Sequence, residues 1–360
     1  MNTIEPTGRI MDEFGSDFHR CDFPKGNPLH TVINADIRRY VSGRQALIDL
    51  VLFNQYSAIY MPSYFCQEVI GSLRNNGIKV KIYEHTPFDD INISFKRISP
   101  NSDEALFISN YFGLETRLDY DGLPQECEII EDHTHDLLSD ESLNSHADWC
   151  ISSLRKSIPV AEGGILWSPK RHIMPHQKGR ACETEIKIQS RYRAMNLKRE
   201  YLSGRFADKN SFLSIFRETE EQFDSFVLSD YGKDTKTILN SLDFRKWDRI
   251  KFENWQLLTQ LINSQDIFRI FGLNVNIQHP FSLILLFQTG EHRNIYRREL
   301  ISQNVYPAIL WHTPEDISES ANYFSDRMLS IHCDARYNKY DIIRLADIMN
   351  GISRKISLNQ

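Results

Sequence analysis

The sequence predicts an α/β fold: a mostly parallel sheet covered by helices on both faces, followed by a smaller C-terminal α/β domain. Three observations carry this reading. Short apolar runs alternate with stretches of helical periodicity between residues 44 and 167. Residues 180–265 are rich in charge with long helical patterns, as connecting helices are. After Gly272 the alternation of strand and helix returns.

Taken in order, residues 1–30 are polar and irregular and read as an N-terminal arm lying on a partner subunit. Ser42-Gly43 is a start signal for a helix over 44–55. Strands are expected at 58–61, 79–83, 105–109, 127–130, 149–152 and 164–167, with a helix at 65–76 ended by Gly77. The C-terminal part reads as strand 282–287, helix 291–303, strand 328–332 and helix 340–349. This divides the chain into an arm, 1–30, a large domain, 31–245, and a small domain, 246–360.

Composition narrows the function. A formal net charge of -6 gives no electrostatic case for nucleic acid. The longest apolar runs, such as 283–287, are far too short for a bilayer, and the first residues lack the basic and apolar blocks of a secretion signal. The six cysteines, at 21, 66, 127, 150, 182 and 333, form no CxxC pair, so no metal site is expected. These features suit a cytoplasmic enzyme.

In open α/β sheets ligands bind beyond the carboxyl ends of the strands. Asn110, Asp132 and the segment Ser153-Leu154-Arg155-Lys156 all fall at such predicted ends. Lys156 lies in the turn between two apolar runs, followed by Gly163-Gly164. That setting suits a lysine that forms a Schiff base, its amine partly deprotonated by burial or by the neighbouring Arg155. Asp132 could cap a helix, or hold a pyridine nitrogen protonated. A lysine for an aldehyde and an aspartate for a ring nitrogen are the two groups that pyridoxal phosphate requires. Around them, the helix start Ser42-Gly43-Arg44-Gln45 and Ser153 suit a phosphate. Tyr64 or Phe65 could stack on the ring, and His135 could bond its phenolic oxygen. Each has an ordinary structural alternative; the convergence of all of them on one edge carries the reading.

In order and spacing these pieces resemble fold-type-I pyridoxal-phosphate enzymes, specifically the DegT/StrS-type sugar aminotransferases. The matching segments are Ser42-Gly43-Arg44, Pro62-Ser63-Tyr64-Phe65, Glu131-Asp132-His133-Thr134-His135, and Ser153-Leu154-Arg155-Lys156 with Ala161-Glu162-Gly163-Gly164. The chain departs from the family at Arg44, where threonine is usual, and at Ile151, where the family serine stands five residues before the lysine. Ser190-Arg191-Tyr192-Arg193-Ala194-Met195 replaces an Asn-Tyr-Arg-Met loop that reaches the neighbouring subunit. The resemblance implies a large domain built on a seven-stranded, mostly parallel sheet, a homodimer, and an aminotransferase moving an amino group from a donor such as glutamate to a nucleotide-linked keto-sugar. It assigns Lys156 and Asp132 as catalytic and Gly43, Arg44, Gln45, Tyr64, Phe65, His135 and Ser153 to the cofactor. Arg336 and Asn110 are candidates for the substrate, Arg336 having a salt bridge as its alternative. Other readings on the same scaffold are a lyase, racemase or acyltransferase, or a non-catalytic binding or regulatory relative.

Overall fold

The computed structural model describes residues 13–89, 94–114, 123–124, 126–225, 227–263, 267–273 and 277–358, so the first twelve residues of the expected arm lie outside the described residues. In chain order the strands are β1 (Phe14–Gly15), β2 (Ile37–Tyr40), β3 (Ala58–Pro62), β4 (Val80–Tyr83), β5 (Glu104–Ser109), β6 (Glu128–Asp132), β7 (Trp149–Ser153), β8 (Gly164–Trp167), β9 (Phe268–Ile270), β10 (Leu283–Phe287), β11 (Val305–Tyr306) and β12 (Met328–Ile331).

The expected seven-stranded sheet is present, in the order β2-β8-β7-β6-β5-β3-β4. From β4 to β7 neighbouring strands run parallel, while β8 is antiparallel to β7 and β2 antiparallel to β8. Alternation along each strand divides the apolar residues between two faces. Leu106 and Ile108 of β5, Cys150 of β7 and Ile165 of β8 join one core with Ile188, Tyr192, Phe212 and Trp247. Ala105, Phe107, Trp149, Ile151 and Leu166 join the other, with Leu47, Leu50 and Val51 of the helix Gly43–Asn54.

Strand β2 has no apolar run to announce it. Its sequence, Ile37-Arg38-Arg39-Tyr40, reads as surface, and the arginines find partners off the sheet. Arg38 Nε donates to the Pro175 carbonyl at 2.7 Å, and Arg39 pairs with Asp230 at 3.2 Å.

A second, antiparallel sheet, β12-β10-β9, belongs to the C-terminal part and carries a third core. The helix Phe244–Leu261 contributes to two cores, with Phe244 and Trp247 in the first and Trp255 and Leu258 in the third. The described part of the N-terminal segment packs on its own chain: β1 pairs parallel with β11, and Phe14 is buried. Among the described residues no helix is long and apolar enough to cross a membrane.

The parallel strands β3, β5, β6 and β7 end on one edge, at Pro62, Ser109, Asp132 and Ser153. The antiparallel pairing returns Gly164 to the same edge, opposite Ser153 and Tyr40. This brings Ser42-Gly43 beside Ser153 and sets up the site.

Candidate active site

Two glycines allow three segments to meet here. A Cβ on Gly164 would lie 2.1 Å from the Ser42 carbonyl carbon and oxygen, and one on Gly43 would lie 3.0 Å from Ser153 Cβ. Gly164 admits no side chain here and Gly163 has a φ of +140°, so this glycine pair holds the helix start against the end of β7. Backbone bonds fix the arrangement: Gly163 N–H donates to the Val41 carbonyl at 2.7 Å and Leu154 N–H to the Gly163 carbonyl at 2.9 Å.

Beyond this edge opens a cavity of about 410 Å³, lined among others by Ser42, Gly43, Arg44, Phe65, Asp132, His135, Ser153 and Lys156. The chain brings eight of the expected residues to one wall.

Lys156 closes the short 3-10 turn Leu154–Lys156 after β7, and its side chain is exposed to the cavity. The adjoining Arg155 guanidinium is the main influence lowering its pKa, and desolvation adds to the effect. Both favour the neutral, nucleophilic amine.

Asp132 ends β6 and is 9% exposed. Thr134 donates to its Oδ1 twice, from the backbone N–H at 2.9 Å and from Oγ1 at 2.5 Å. Among the described residues no donor reaches Oδ2, which leaves that oxygen for a group in the cavity. Burial pushes the carboxyl up to about 6, against the Thr134 bonds that lower it. Thr134 Oγ1 also accepts from Ser153 N–H at 2.9 Å, tying the ends of β6 and β7 together. Nothing in the sequence marks Thr134 for this role, although it stands inside the Asp132–His135 motif.

His135 is 6% exposed and stacks on Phe281 at 4.1 Å and on Trp311 at 5.7 Å. Burial pushes its pKa down to about 3, so the ring is neutral. Its Nδ1 accepts from Phe112 N–H at 3.2 Å, which puts the proton on Nε2 and makes that nitrogen the donor. Phe65, Phe107, Phe281 and Trp311 complete an aromatic wall.

Behind Asp132, His133 lies between two carboxylates, with Nε2 3.0 Å from Glu131 and Nδ1 3.1 Å from Asp136. Burial works against the charged ring, but Asp136 and Glu131 hold its pKa well above the usual histidine range. The resulting cation lowers the Asp132 carboxyl electrostatically.

Four expected residues stand elsewhere. Gln45 is buried and faces the 227–229 backbone: Nε2 donates to the Val227 carbonyl at 3.0 Å and Oε1 accepts from Ser229 N–H at 3.2 Å. Its own N–H goes to the capping Ser42 Oγ at 3.3 Å, so it has little left for a phosphate. Tyr64 is fully buried among Tyr111, Trp311 and Phe324, so of this adjacent pair Phe65 lines the cavity. Asn110 Nδ2 donates to Asp136 Oδ2 at 2.8 Å and is not in that wall. Arg336 is 1% exposed and paired with Asp334 at 2.9 Å. It also donates to the Ser16 and Asp17 carbonyls at 3.3 Å and stacks over Phe18, so it anchors the N-terminal segment rather than gripping a substrate.

Arg336→Met should therefore lower stability by about 3–5 kcal/mol, because it strands a buried carboxylate. Chemical denaturation would check this; a raised KM with unchanged stability would return Arg336 to the substrate. Similarly, residues 190–195 lie within the helix Cys182–Leu202, with Arg191 and Tyr192 buried in their own chain.

The site also holds residues with no local sequence signal. Glu220 and Glu221, at the end of the helix Lys209–Glu221, and Phe223 all line the cavity.

No family model matches the sequence, and no curated protein matches it. Solved structures do match in fold. DesI, solved with its TDP-sugar product, is 13% identical with a TM-score of 0.59, over 92% of this chain and 84% of that one. The PLP form of Spr1654 from Streptococcus pneumoniae is 11% identical with a TM-score of 0.58, over 94% of each chain. A DegT DnrJ EryC1 StrS aminotransferase from Brucella abortus is 12% identical with a TM-score of 0.56, over 91% of this chain and 88% of that one. The chain thus has the fold of the DegT/StrS-type sugar aminotransferases, as its motifs led us to expect.

Proposed function

We propose that this chain is a pyridoxal-phosphate-dependent aminotransferase, moving an amino group from an amino acid such as glutamate to a nucleotide-linked keto-sugar. The carrying observation is that Lys156 and Asp132, from consecutive strand ends, share one aromatic-walled cavity with a neutral His135. The fit to the cofactor rests on the donor set. Asp132 Oδ2 would hold the proton of the pyridine nitrogen, and the His135 Nε2–H would donate to the phenolic oxygen. Phe65 and Trp311 supply apolar surface for the ring. Ser42, Gly43 and Ser153 would hold the phosphate at a helix N-terminus, where the dipole favours an anion.

When bound, the cofactor supplies an electron sink for the pair left by breaking the substrate's α C–H bond. The rest falls to the protein. Lys156 Nζ would take up the proton released at the substrate carbon, and its lowered pKa favours the neutral amine that this requires. The aromatic wall excludes water from the reacting face.

The keto-sugar acceptor is supported by the family resemblance and by DesI, solved in the presence of its TDP-sugar product. A cytoplasmic homodimer is part of the same reading: the resemblance supports the dimer, and six free cysteines suit a reducing compartment.

A half-reaction tests the activity. Protein loaded with pyridoxal phosphate should lose its visible absorption on addition of glutamate and gain the pyridoxamine spectrum, with stoichiometric 2-oxoglutarate. An unchanged spectrum with every common amino donor would favour a lyase or a non-catalytic relative.

A further inference from the structure

Beyond its effect on Lys156, Arg155 is a cation in the cavity wall to which the proposed reaction assigns no ligand. It directly precedes Lys156, and its side chain is only 10% exposed. Glu220 holds it in a two-bond fork: Nη1 donates to Oε2 at 2.9 Å and Nη2 to Oε1 at 2.7 Å. The guanidinium also lies over the Phe223 ring, 4.4 Å from its centre. Arg191, 5% exposed, meets Glu220 Oε2 at 3.1 Å from the other side. Arg155, Lys156, Glu220 and Phe223 all line the same cavity.

The two halves of this pair are unequal. Arg155 is positioned by the turn after β7 and by the Phe223 ring, and a buried guanidinium requires an anion. Glu220 stands on the last turn of the helix Lys209–Glu221 with its side chain 44% exposed. That exposure lets the Glu220 carboxylate turn into water when another anion takes its place on Arg155. Whatever replaces it must be an anion with two coplanar oxygens for the arginine fork. The phosphate has its own candidate cradle at Ser42-Gly43 and Ser153, and the group now seated on Arg155 is a carboxylate.

We propose that Arg155 is the receptor for the carboxylate of the amino donor, and that Glu220 is a built-in competitor occupying it until the donor arrives. The assignment rests on the aminotransferase reading. It places the donor carboxylate at Arg155 and the donor amine beside the adjacent Lys156, as the two groups adjoin on an α-amino acid. It also replaces the substrate role expected of Arg336.

The test is calorimetric titration of glutarate, with inorganic phosphate as a second probe, into the protein with and without added pyridoxal phosphate. Glu220→Gln removes the competitor's charge and should tighten glutarate about tenfold, whereas Arg155→Lys should weaken it about tenfold. Phosphate affinity should follow neither change. Tighter binding by the Glu220→Gln protein cannot come from misfolding. Unchanged glutarate affinity in both variants would reduce the pair to a structural ion pair. Phosphate tracking glutarate would make Arg155 a phosphate site, and either result overturns the proposal. If the cofactor reading itself were wrong, the visible band would be missing whatever the glutarate affinity, so the two failures are separable.

Discussion

Lys156→Ala is expected to abolish the visible absorption that pyridoxal phosphate gives with the wild-type protein, and to cut turnover by about 10⁴-fold or more. Borohydride reduction of the wild-type complex should fix the pyridoxyl mass on Lys156 alone. The expectation follows from the local electrostatics: Arg155 first, and desolvation second, lower the Lys156 pKa. A lowered pKa on a cationic group means that the neutral amine is reached at a lower pH. Cofactor loading should therefore persist to a lower pH than an ordinary lysine would allow. No other lysine lines the cavity among the described residues. A variant that kept the wild-type spectrum, or a reduced adduct on a different lysine, would end the assignment.

The framework of this site was legible because it is local. A strand end, a glycine pair and a helix start are each written in a few consecutive residues, and the sheet brings Asp132, Ser153, Gly43 and Gly164 to one edge by its pairing alone. Side-chain direction was not legible. Gln45 and Asn110 stand at expected positions, but their amides are claimed by the 227–229 backbone and by Asp136. Nothing within a few residues of either reveals those partners. Tyr64 and Phe65 are adjacent aromatics, and only the packing of Phe324 and Trp311 decides which one meets the cavity. For Arg336 the sequence offers a substrate carboxylate or a salt bridge, and Asp334, two residues away, takes it. Glu220 was out of reach altogether, because it approaches Lys156 from a helix more than sixty residues along the chain. The sheet's edge strand β2 was missed for a related reason: its two arginines are satisfied by contacts outside the strand.

Asp132→Asn should separate stability from function. The folded-state pKa of Asp132 is raised from 3.8 to about 6, chiefly by burial. A raised carboxyl binds its proton more tightly in the folded chain than in the unfolded one. Its stabilising contribution is therefore complete below about pH 4 and is lost as pH rises through about 6. Above that, the ionised, buried carboxylate costs the cofactor-free protein about 3 kcal/mol, from roughly two pKa units at about 1.4 kcal/mol each. Asparagine keeps an oxygen for both Thr134 bonds and carries no charge, so the cofactor-free Asp132→Asn protein should melt a few degrees higher at pH 8. At pH 4, where wild-type Asp132 is itself neutral, that advantage should vanish. Function should move the opposite way. An amide cannot hold a pyridinium as an ion pair, so turnover should fall by about 10²–10⁴-fold and the thermal shift on adding pyridoxal phosphate should shrink. For the same reason wild-type cofactor affinity should decline below about pH 6. The His133 cation, held between Glu131 and Asp136, opposes that protonation and extends the range in which Asp132 stays charged. Calorimetric scans of both proteins at the two pH values, with and without pyridoxal phosphate, decide the matter. A lower melting temperature for the cofactor-free variant at pH 8, or an undiminished shift with cofactor, would mean that Asp132 caps the end of β6 and does not serve the ring.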